Sequence, residues 1–396
     1  MKILVVAPQP FYVERGTPIA VRALIETLCR AGHHVDLLTT HLGADIDEPN
    51  LTIHRTRLFG KIRSLPIGFS GSKLALDLAI WLRLLKLAGR GRYDVIHAVE
   101  EAVFLALPLR WLGRGKLVYD MDSVISEQLR EKWPQIGWLS RAVAACEAVA
   151  QRSSDLVLPV CPAIAEAAAG HVSQDKIHLL PDIAPAPAEA ESDGEDITSA
   201  AGTRPLALYV GNLESYQGMG LLLEALARID RSDRPFLAVI GGDEAAVAQY
   251  RTYAQSLGVA GETGFLGPRP LNRLGHYLEQ ADLLCSPRMK GVNTPMKLYA
   301  YMASGVAIVA TRILSHTQVI DEQSAFMADP EPGAYASALR EASADLVERG
   351  RRGQAAQKLA RAQYSRQAFD ERLLRAYASL ERKPFPRSRS KLPIIR

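Results

Sequence analysis

A short stretch near residue 290 combines positive charge with the start of a predicted helix. Arg288 and Lys290 lie in a glycine-containing loop that follows an apolar strand. Pro295 then opens a helix that contains Lys297. Backbone N–H groups at a helix start attract anions, and nearby cations strengthen that attraction, so the stretch predicts an anion site. The alternative is an ordinary crossover between two buried strands, with lysines that are simply solvated.

Polar side chains that follow predicted strands of the first half could handle a proton or orient a hydroxyl group. His97 ends a buried strand and is either a ligand contact or a histidine of the core. Of Glu100 and Glu101, one can cap the helix that begins there and the other can accept a proton. Asp122 competes for the proton. It has Asp-x-Asp spacing with Asp120, but its position favours orienting a hydroxyl or capping, and no metal site is predicted.

Two glycine turns follow predicted strands. Gly16 lets the backbone approach a ligand, while Thr17 is an equally good N-cap for the first helix. Gly242 lies in the run Gly241-Gly242-Asp243, which resembles a dinucleotide-binding turn but lacks the full glycine fingerprint. Neither turn identifies a ligand by itself.

Residues 55–92 form a basic, amphipathic region. They carry nine lysines and arginines against a single acid, Asp77, which gives a formal charge of +8. Apolar residues, including Trp81, are interleaved with these cations. The pattern suits an anionic membrane surface or a lipid-linked ligand. The alternative is a helix whose apolar face belongs to the core and whose basic face is solvated.

Alternating strands and helices run through the chain twice. Near-continuous apolar strands between amphipathic helices are typical of parallel sheets that are covered on both faces. The predicted fold class is therefore α/β, with two Rossmann-like, doubly wound parallel-sheet domains that face a central cleft. The predicted division is a domain at 1–185, a linker at 186–204, a domain at 205–365, a helix at 366–382 and a basic tail at 383–396.

The bulk composition excludes several classes of protein. A net charge of +4 is too small for a dedicated nucleic-acid binder, and no nucleic-acid motif is present. The four cysteines form no CxxC pair, which predicts reduced thiols rather than a zinc site. The N-terminal apolar run is too short for a signal peptide, and no run is long enough to span a membrane. We expect a cytoplasmic protein. Peripheral attachment to the inner face of the membrane is a further expectation.

Several short motifs resemble those of the retaining glycosyltransferases of family 4 (glycosyl transferases group 1), which have the GT-B fold. They include Gly16-Thr17, the runs at 93–98 and 211–214, and Lys297-Leu298-Tyr299 followed by Ala303-Ser304-Gly305. Each is short, but their shared order and spacing extend over essentially the whole chain up to residue 382. The resemblance implies that the N-terminal domain binds an acceptor and the C-terminal domain a nucleotide-sugar donor. It also implies that the last helix crosses back onto the N-terminal domain.

Four positions depart from the family pattern. Val292 and Ala300 replace two glutamates, the second of which normally binds the nucleotide ribose. Asn212 and Gln217 replace the Arg and Lys that normally grip the donor diphosphate, and their amides donate hydrogen bonds without carrying charge. Either the donor is held differently or transfer activity has been lost. We favour a different grip, with the charge supplied by the 288–297 stretch.

The resulting hypothesis is a retaining, metal-independent glycosyltransferase without a cofactor, which uses a UDP- or GDP-sugar and a lipid-linked or carbohydrate acceptor. The alternatives are a non-catalytic GT-B protein that binds a glycan or a partner, and a sugar-nucleotide epimerase. The candidate catalytic residues are His97, Glu100 and Asp122. The candidate donor-binding residues are Gly16, Thr17, Asn212, Glu214, Gln217, Gly242, Arg288, Lys290, Asn293, Thr294, Met296 and Lys297.

Overall fold

The chain forms two compact units, each built around a parallel sheet. The computed structural model describes residues 1–13, 16–56, 71–132, 135, 137–184 and 195–382. The N-terminal unit consists of residues 1–181 and the described residues from 370 onward, and the C-terminal unit consists of residues 182–369. The predicted tail at 383–396 lies outside the described residues.

The N-terminal unit alternates strands and helices, and most of its strands are short, largely buried apolar runs, whereas Leu51–Arg55 at the sheet edge is only partly buried. Its strands are β1 (Lys2–Val6), β2 (His34–Thr39), β3 (Leu51–Arg55), β4 (Val95–Val99), β5 (Lys116–Met121) and β6 (Leu156–Pro159). Its helices are α1 (Gly16–Arg30), α2 (Gly71–Arg90), α3 (Ala102–Trp111), α4 (Ile125–Lys132), α5 (Gly137–Ser153) and α6 (Pro162–Ala169).

The C-terminal unit repeats this alternation. Its strands are β7 (Leu206–Val210), β8 (Phe236–Ile240), β9 (Thr263–Gly267), β10 (Leu283–Ser286), β11 (Ala307–Thr311) and β12 (Phe326–Ala328). Its helices are α7 (Met219–Ala227), α8 (Glu244–Ser256), α9 (Leu274–Gln280), α10 (Met296–Ser304), α11 (Leu314–Thr317), α12 (Pro332–Ala344) and α13 (Leu346–Gln363). The chain returns to the N-terminal unit within a last helix, α14 (Arg366–Arg382).

The strand order of the two sheets is the same doubly wound order. The first sheet runs β3-β2-β1-β4-β5-β6, and the second runs β12-β11-β10-β7-β8-β9, with every recorded strand pair parallel. The direction of winding reverses between β1 and β4 and again between β7 and β10. At such a point the loops after the two strands diverge and leave a crevice for a ligand. The α/β prediction with two Rossmann-like sheets is confirmed.

Helix α14 is fixed to the first sheet by polar as well as apolar contacts. The Tyr377 hydroxyl lies 2.8 Å from Nδ1 of His97 on β4, and the Thr27 hydroxyl donates to Asp370 over 2.6 Å. Leu373 and Leu380 are fully buried on the same helix. An amphipathic helix docks in this way because its apolar stripe needs cover.

Two segments are not apparent from local sequence patterns. The largely apolar run at 177–180 forms no strand and makes only an isolated bridge from Ile177 to Val157 beside β6. The described part of the expected linker, 195–204, packs against the core of the C-terminal unit, where Ile197 and Ala201 are buried. These apolar side chains lie within a stretch that reads as polar overall, so composition did not reveal them.

The basic region is only partly described, because residues 57–70 lie outside the described ranges. Within α2, the apolar side chains of Leu76, Ile80 and Leu84 are buried, so one face of this helix belongs to the core, as the alternative expected. Leu78 and Leu82 are more than half exposed on another face. None of the described helices is long and apolar enough to cross a bilayer.

Candidate functional site

Two loops meet at the point where the winding of the second sheet reverses. One follows β7 and covers residues 211–218, and the other follows β10 and covers residues 287–295. They are joined by a backbone hydrogen bond from Met289 N to Tyr216 O, 2.8 Å long. Ten of the twelve predicted donor-binding residues lie on these loops, at the start of α10, or on the turn after β8.

Arg288 holds its own loop in shape. Its guanidinium is buried and donates to the carbonyl oxygens of Lys290 (2.7 Å) and Asn293 (3.0 Å) and to Asn293 Oδ1 (3.1 Å). The same guanidinium lies 5.5 Å from the ring centroid of Tyr216 on the neighbouring loop. The side chain of Lys290, in contrast, is exposed. The three cations that sequence analysis grouped together therefore have different surroundings.

A buried polar network supports the base of this loop. Thr311 Oγ1 donates to the Arg288 carbonyl, and Ser286 Oγ and His316 Nε2 lie 2.9 Å apart. The Gln318 amide donates to Thr294 Oγ1 over 2.9 Å and also reaches the loop backbone. Burial lowers the pKa of His316 to about 4, so its imidazole is neutral at pH 7. His316 and Gln318 are not among the predicted site residues, because they lie beyond the next strand and no local motif marks them.

The 211–218 loop is packed against the 287–295 loop at Gly218. A Cβ atom at Gly218 would lie 1.9 Å from the Pro287 carbonyl oxygen, and the residue has a φ of +78°. Asn212 and Glu214 are exposed, whereas Oε1 of Gln217 is buried and finds no hydrogen-bond partner among the described residues. On the next turn, Gly242 leaves room for Leu213, whose side chain a Cβ would meet at 2.5 Å.

The amine of Lys297 is buried, unlike that of Lys290, and it lacks a hydrogen-bonding partner within the described parts of the chain. The residue is partly exposed as a whole, but its Nζ atom is buried. Nζ lies 4.0 Å from the ring centroid of Tyr209, and a Cβ atom at Gly211 would lie 3.2 Å from it. The Tyr209 hydroxyl donates to the Asn212 carbonyl, so the ring is held in place. A cation–π contact relieves only part of the cost of burying an ammonium group.

The surroundings of Lys297 change its proton affinity. Burial first, and then the nearby Arg288 guanidinium, lower the pKa of the Lys297 amine to about 7, against a weaker opposing effect of Cys285. An anion placed beside the amine would reverse this shift because it would stabilise the protonated form. The arrangement is suited to bind an anion at the carboxyl ends of β7 and β10.

We expect the stability cost of Lys297 to depend on pH. Below pH 7 the amine is protonated in both the folded and the unfolded chain, and the folded state bears the full cost of burial. Between pH 7 and 10.5 only the unfolded chain keeps the proton, so stability rises with pH by up to about 1.4 kcal/mol per pH unit. The Lys297→Met variant should therefore exceed the unsubstituted protein in stability most at pH 6 and less at pH 9.

Urea unfolding of both proteins at these two pH values measures the difference. Lys358→Met, which changes an exposed lysine of α13, is the matched control and should show no such trend. A difference between the Lys297 variant and the unsubstituted protein that stays constant with pH would contradict the lowered pKa.

Two further positions of the C-terminal unit serve the fold of α10. Met296 is the first residue of α10, directly after the Pro295 N-cap. Ala300, at the position of the family's ribose-binding glutamate, is buried in the core cluster beside Leu298 and Tyr301. No carboxylate is supplied from that position.

The remaining predicted residues lie in the N-terminal unit, at the carboxyl ends of its strands. His97 is fully buried, and its two ring nitrogens lie within hydrogen-bond distance of Tyr377 and of Asp120 Oδ2 (3.1 Å). This position favours the core-histidine alternative. Gly16 and Thr17 begin α1, after a loop whose residues 14–15 are not described.

Three acidic residues that follow β4 and β5 in the N-terminal unit are partly accessible. Glu100 has a φ of +50°, and its carboxylate accepts a hydrogen bond from the Gln9 amide over 2.9 Å. Glu101 is the N-cap of α3 but makes no side-chain capping bond. Asp122 follows β5 and is partly exposed. The side chains of Glu100 and Asp122 are thus partly accessible at the ends of β4 and β5.

Comparisons with known proteins agree on one family. The model for "glycosyl transferases group 1" matches residues 194–359, and that for "glycosyl transferase 4-like domain" matches residues 15–182. A D-inositol 3-phosphate glycosyltransferase of Corynebacterium diphtheriae is 31% identical over 37% of this chain and 36% of its own length. A phosphatidyl-myo-inositol mannosyltransferase of Mycolicibacterium smegmatis is 22% identical over 82% of this chain and 80% of its own length.

The solved structures show the same fold. The Anabaena protein Alr3699/HepE, crystallised in complex with UDP, superposes with a TM-score of 0.75 over 96% of this chain and 100% of its own, at 15% identity.

The match to the corynebacterial relative spans only about a third of that protein. The two family models, however, cover both units of this chain in succession, and the predicted family is confirmed. The chain belongs to the group 1 glycosyltransferases and has their GT-B fold.

Proposed function

We propose that this chain transfers a sugar from a nucleotide-diphosphate sugar to a lipid-linked or carbohydrate acceptor, with retention of configuration and without a metal ion. The observation that carries the proposal is the buried amine of Lys297, which no described residue pairs by hydrogen bond or carboxylate. A folded protein keeps an unpaired buried cation only at a cost, so a ligand that pairs with it is the simplest reason for its presence.

The donor diphosphate is assigned to the crevice at β7 and β10. When the bond between the anomeric carbon and the diphosphate oxygen breaks, negative charge grows on the leaving group. A fixed cation in a site that excludes water stabilises this charge most effectively. Lys297 supplies that cation, and the first N–H groups of α10 add donors from a helix start. The amides of Asn212 and Gln217 complete the grip without charge.

Arg288 has a second role in this proposal. Its donors hold the 287–295 loop, so the guanidinium positions the loop while its charge contributes to the local field. Lys290 is exposed and would act at longer range, where salt screens it. Glu214, in the middle of the 211–218 loop, is the proposed substitute for the missing ribose carboxylate.

The acceptor is assigned to the N-terminal unit. Glu100 or Asp122 would accept the proton of the acceptor hydroxyl as its oxygen bonds to the anomeric carbon. A lipid-linked acceptor is supported by the name of the mycobacterial relative, which acts on phosphatidyl-myo-inositol. The cations and exposed leucines of α2 support contact with an anionic membrane surface.

A donor screen tests the proposal. UDP, GDP and their sugars are titrated into the full chain by calorimetry and thermal shift, with and without a chelator, since a ligand that binds the folded state raises the melting temperature. UDP is the first probe because the Anabaena structure contains it. We expect binding that the chelator leaves unchanged, and transfer to acceptor with retention, which NMR of the product's anomeric proton reports.

Two outcomes would separate the alternatives. A folded protein that binds none of these nucleotides would overturn the proposal. Binding without transfer or donor hydrolysis across the panel would favour the non-catalytic GT-B protein, which the loss of the family carboxylate at Ala300 already motivates.

A further inference from the structure

A cavity of about 600 Å³ lies in the N-terminal unit between the end of β3 and α2. Its lining residues are Arg55, Thr56, Ala79, Leu82, Arg83 and Lys86. The four residues from α2 follow one another at spacings of three, one and three, so they form a single helical face. This face is separate from the one that packs Ile80 and Leu84 into the core.

The charge of the cavity is one-sided. Among the lining residues that the structure describes, three are cations and none is acidic. Arg55 is fixed by hydrogen bonds to the carbonyl oxygens of Leu42 and Ala44 and by an ion pair with Asp45, which is itself largely exposed. Arg83 and Lys86 have no carboxylate partner in the ranges that the structure describes. Most of the positive charge is therefore left for a ligand.

Two buried polar atoms at the cavity also lack partners. Nε of Arg83 and Oγ1 of Thr56 are shielded from solvent, and neither makes a hydrogen bond to a described residue. Thr56 is only 2% exposed, while its backbone N–H is already bonded to Thr39. Buried donors are rarely left unsatisfied, because each costs about 1–3 kcal/mol. An oxygen-rich anion could accept hydrogen bonds from both.

We propose that this cavity binds a phosphate ester. A guanidinium matches the geometry of phosphate oxygens, and the ammonium of Lys86 adds a second charge for a dianion. The volume exceeds that of a phosphate group, so it also accommodates the group that the phosphate is attached to. Ala79 and the exposed Leu82 form an apolar wall for that group. The cavity could bind a phosphate ester whether or not the protein transfers a sugar. The further step of identifying this ester as the sugar acceptor rests on the proposed function.

Calorimetry with inorganic phosphate and glycerol 3-phosphate tests the proposal. The Lys297→Met variant of the full chain is used as the background, so that the donor site does not contribute. Arg83→Met removes the central cation, and Ala79→Phe fills the cavity while keeping every charge. We expect Arg83→Met to weaken binding about tenfold or more, the effect of losing one charge-assisted contact. Ala79→Phe should weaken it by about as much, because the added ring occupies the space of the ligand.

Arg90→Met is the matched control, since it removes an exposed cation from the same helix outside the cavity. It should weaken binding by less than about twofold. If Arg83→Met does not fold, Ala79→Phe still tests the proposal, because it fills the cavity without removing a charge. The absence of binding by either probe, or an equal loss with Arg90→Met and Arg83→Met, would overturn the proposal in favour of a diffuse basic surface.

The source of the phosphate is decided with vesicles of phosphatidylcholine, with and without phosphatidic acid. Sedimentation that needs phosphatidic acid and is lost in both Arg83→Met and Ala79→Phe would identify a membrane lipid headgroup. Binding of glycerol 3-phosphate without such sedimentation would identify a soluble phosphate ester. Sedimentation that neither variant changes, together with no binding of the free probes, would refute the cavity as a site.

Discussion

Replacing Lys297 with methionine should weaken the binding of a nucleoside diphosphate by about 10- to 100-fold, without destabilising the fold. The loss corresponds to one or two charge-assisted hydrogen bonds in a site that excludes water. Methionine has a similar length and no charge, so the packing against the Tyr209 ring is retained. Titration calorimetry with UDP measures the affinity, and urea unfolding measures the stability.

The two measurements should move in opposite directions. Removing a buried, unpaired cation should raise the free energy of unfolding by about 1–4 kcal/mol at pH 7 or below. Most substitutions of buried residues lower the free energy of unfolding. A variant that gains stability but loses nucleotide affinity therefore indicates a residue whose role is to bind the ligand. Lys358→Met should change neither quantity, because Lys358 is exposed on α13. Unchanged affinity for every nucleotide that the unsubstituted protein binds would remove Lys297 from the diphosphate site.

Replacing Gly218 with alanine should cost about 3 kcal/mol or more of stability and disrupt the same site. A φ of +78° disfavours any side chain by about 1–2 kcal/mol, and the new Cβ atom would overlap the Pro287 carbonyl oxygen. The two loops would have to separate, which would break the bond between Met289 N and Tyr216 O. Differential scanning calorimetry should show a lower melting temperature, and nucleotide affinity should fall with it.

Gly220→Ala is the matched control, two residues further along the chain. Its Cβ atom would meet only the Tyr253 ring, at 3.9 Å, and the residue lies inside α7. Alanine is a better helix former than glycine, and since Gly220 is in the first turn of α7 we expect no loss of stability and a gain of at most about 0.5–1 kcal/mol. Equal stability of the two variants would show that the loops do not approach each other as closely as 1.9 Å implies.

The two predictions address different features of the same crevice. The first concerns the charge that a ligand neutralises, and the second concerns the loop contact that places this charge at the ends of β7 and β10. The buried network under the loop links them, since the Thr311 hydroxyl and the Gln318 amide hold the backbone that surrounds Arg288 and Thr294. A site that relies on the Lys297 amine needs such support, because a displaced ammonium group would be solvated and would no longer stabilise the charge of a bound diphosphate.

Local patterns were sufficient to predict the alternation of strands and helices, and they are also the basis of the proposed anion site. Strand β10, the Pro295 N-cap and the end of α10 at Gly305 are each visible in a few adjacent residues. Short-range preferences of this kind need no knowledge of the rest of the chain. The family resemblance depended on the order of such motifs, which is also a property of the linear sequence.

The roles of individual side chains were decided by contacts between residues far apart in the chain. Arg288 and Lys297 are equivalent as cations in the sequence, yet one is bonded to its own loop and the other has a buried amine with a pKa of about 7. His97 lies three residues before the candidate Glu100 in the sequence, but Tyr377, 280 residues away, lies within hydrogen-bond distance of one of its ring nitrogens. Burial and hydrogen bonding depend on three-dimensional neighbours, so charge type and spacing alone could not distinguish a free cation from a satisfied one.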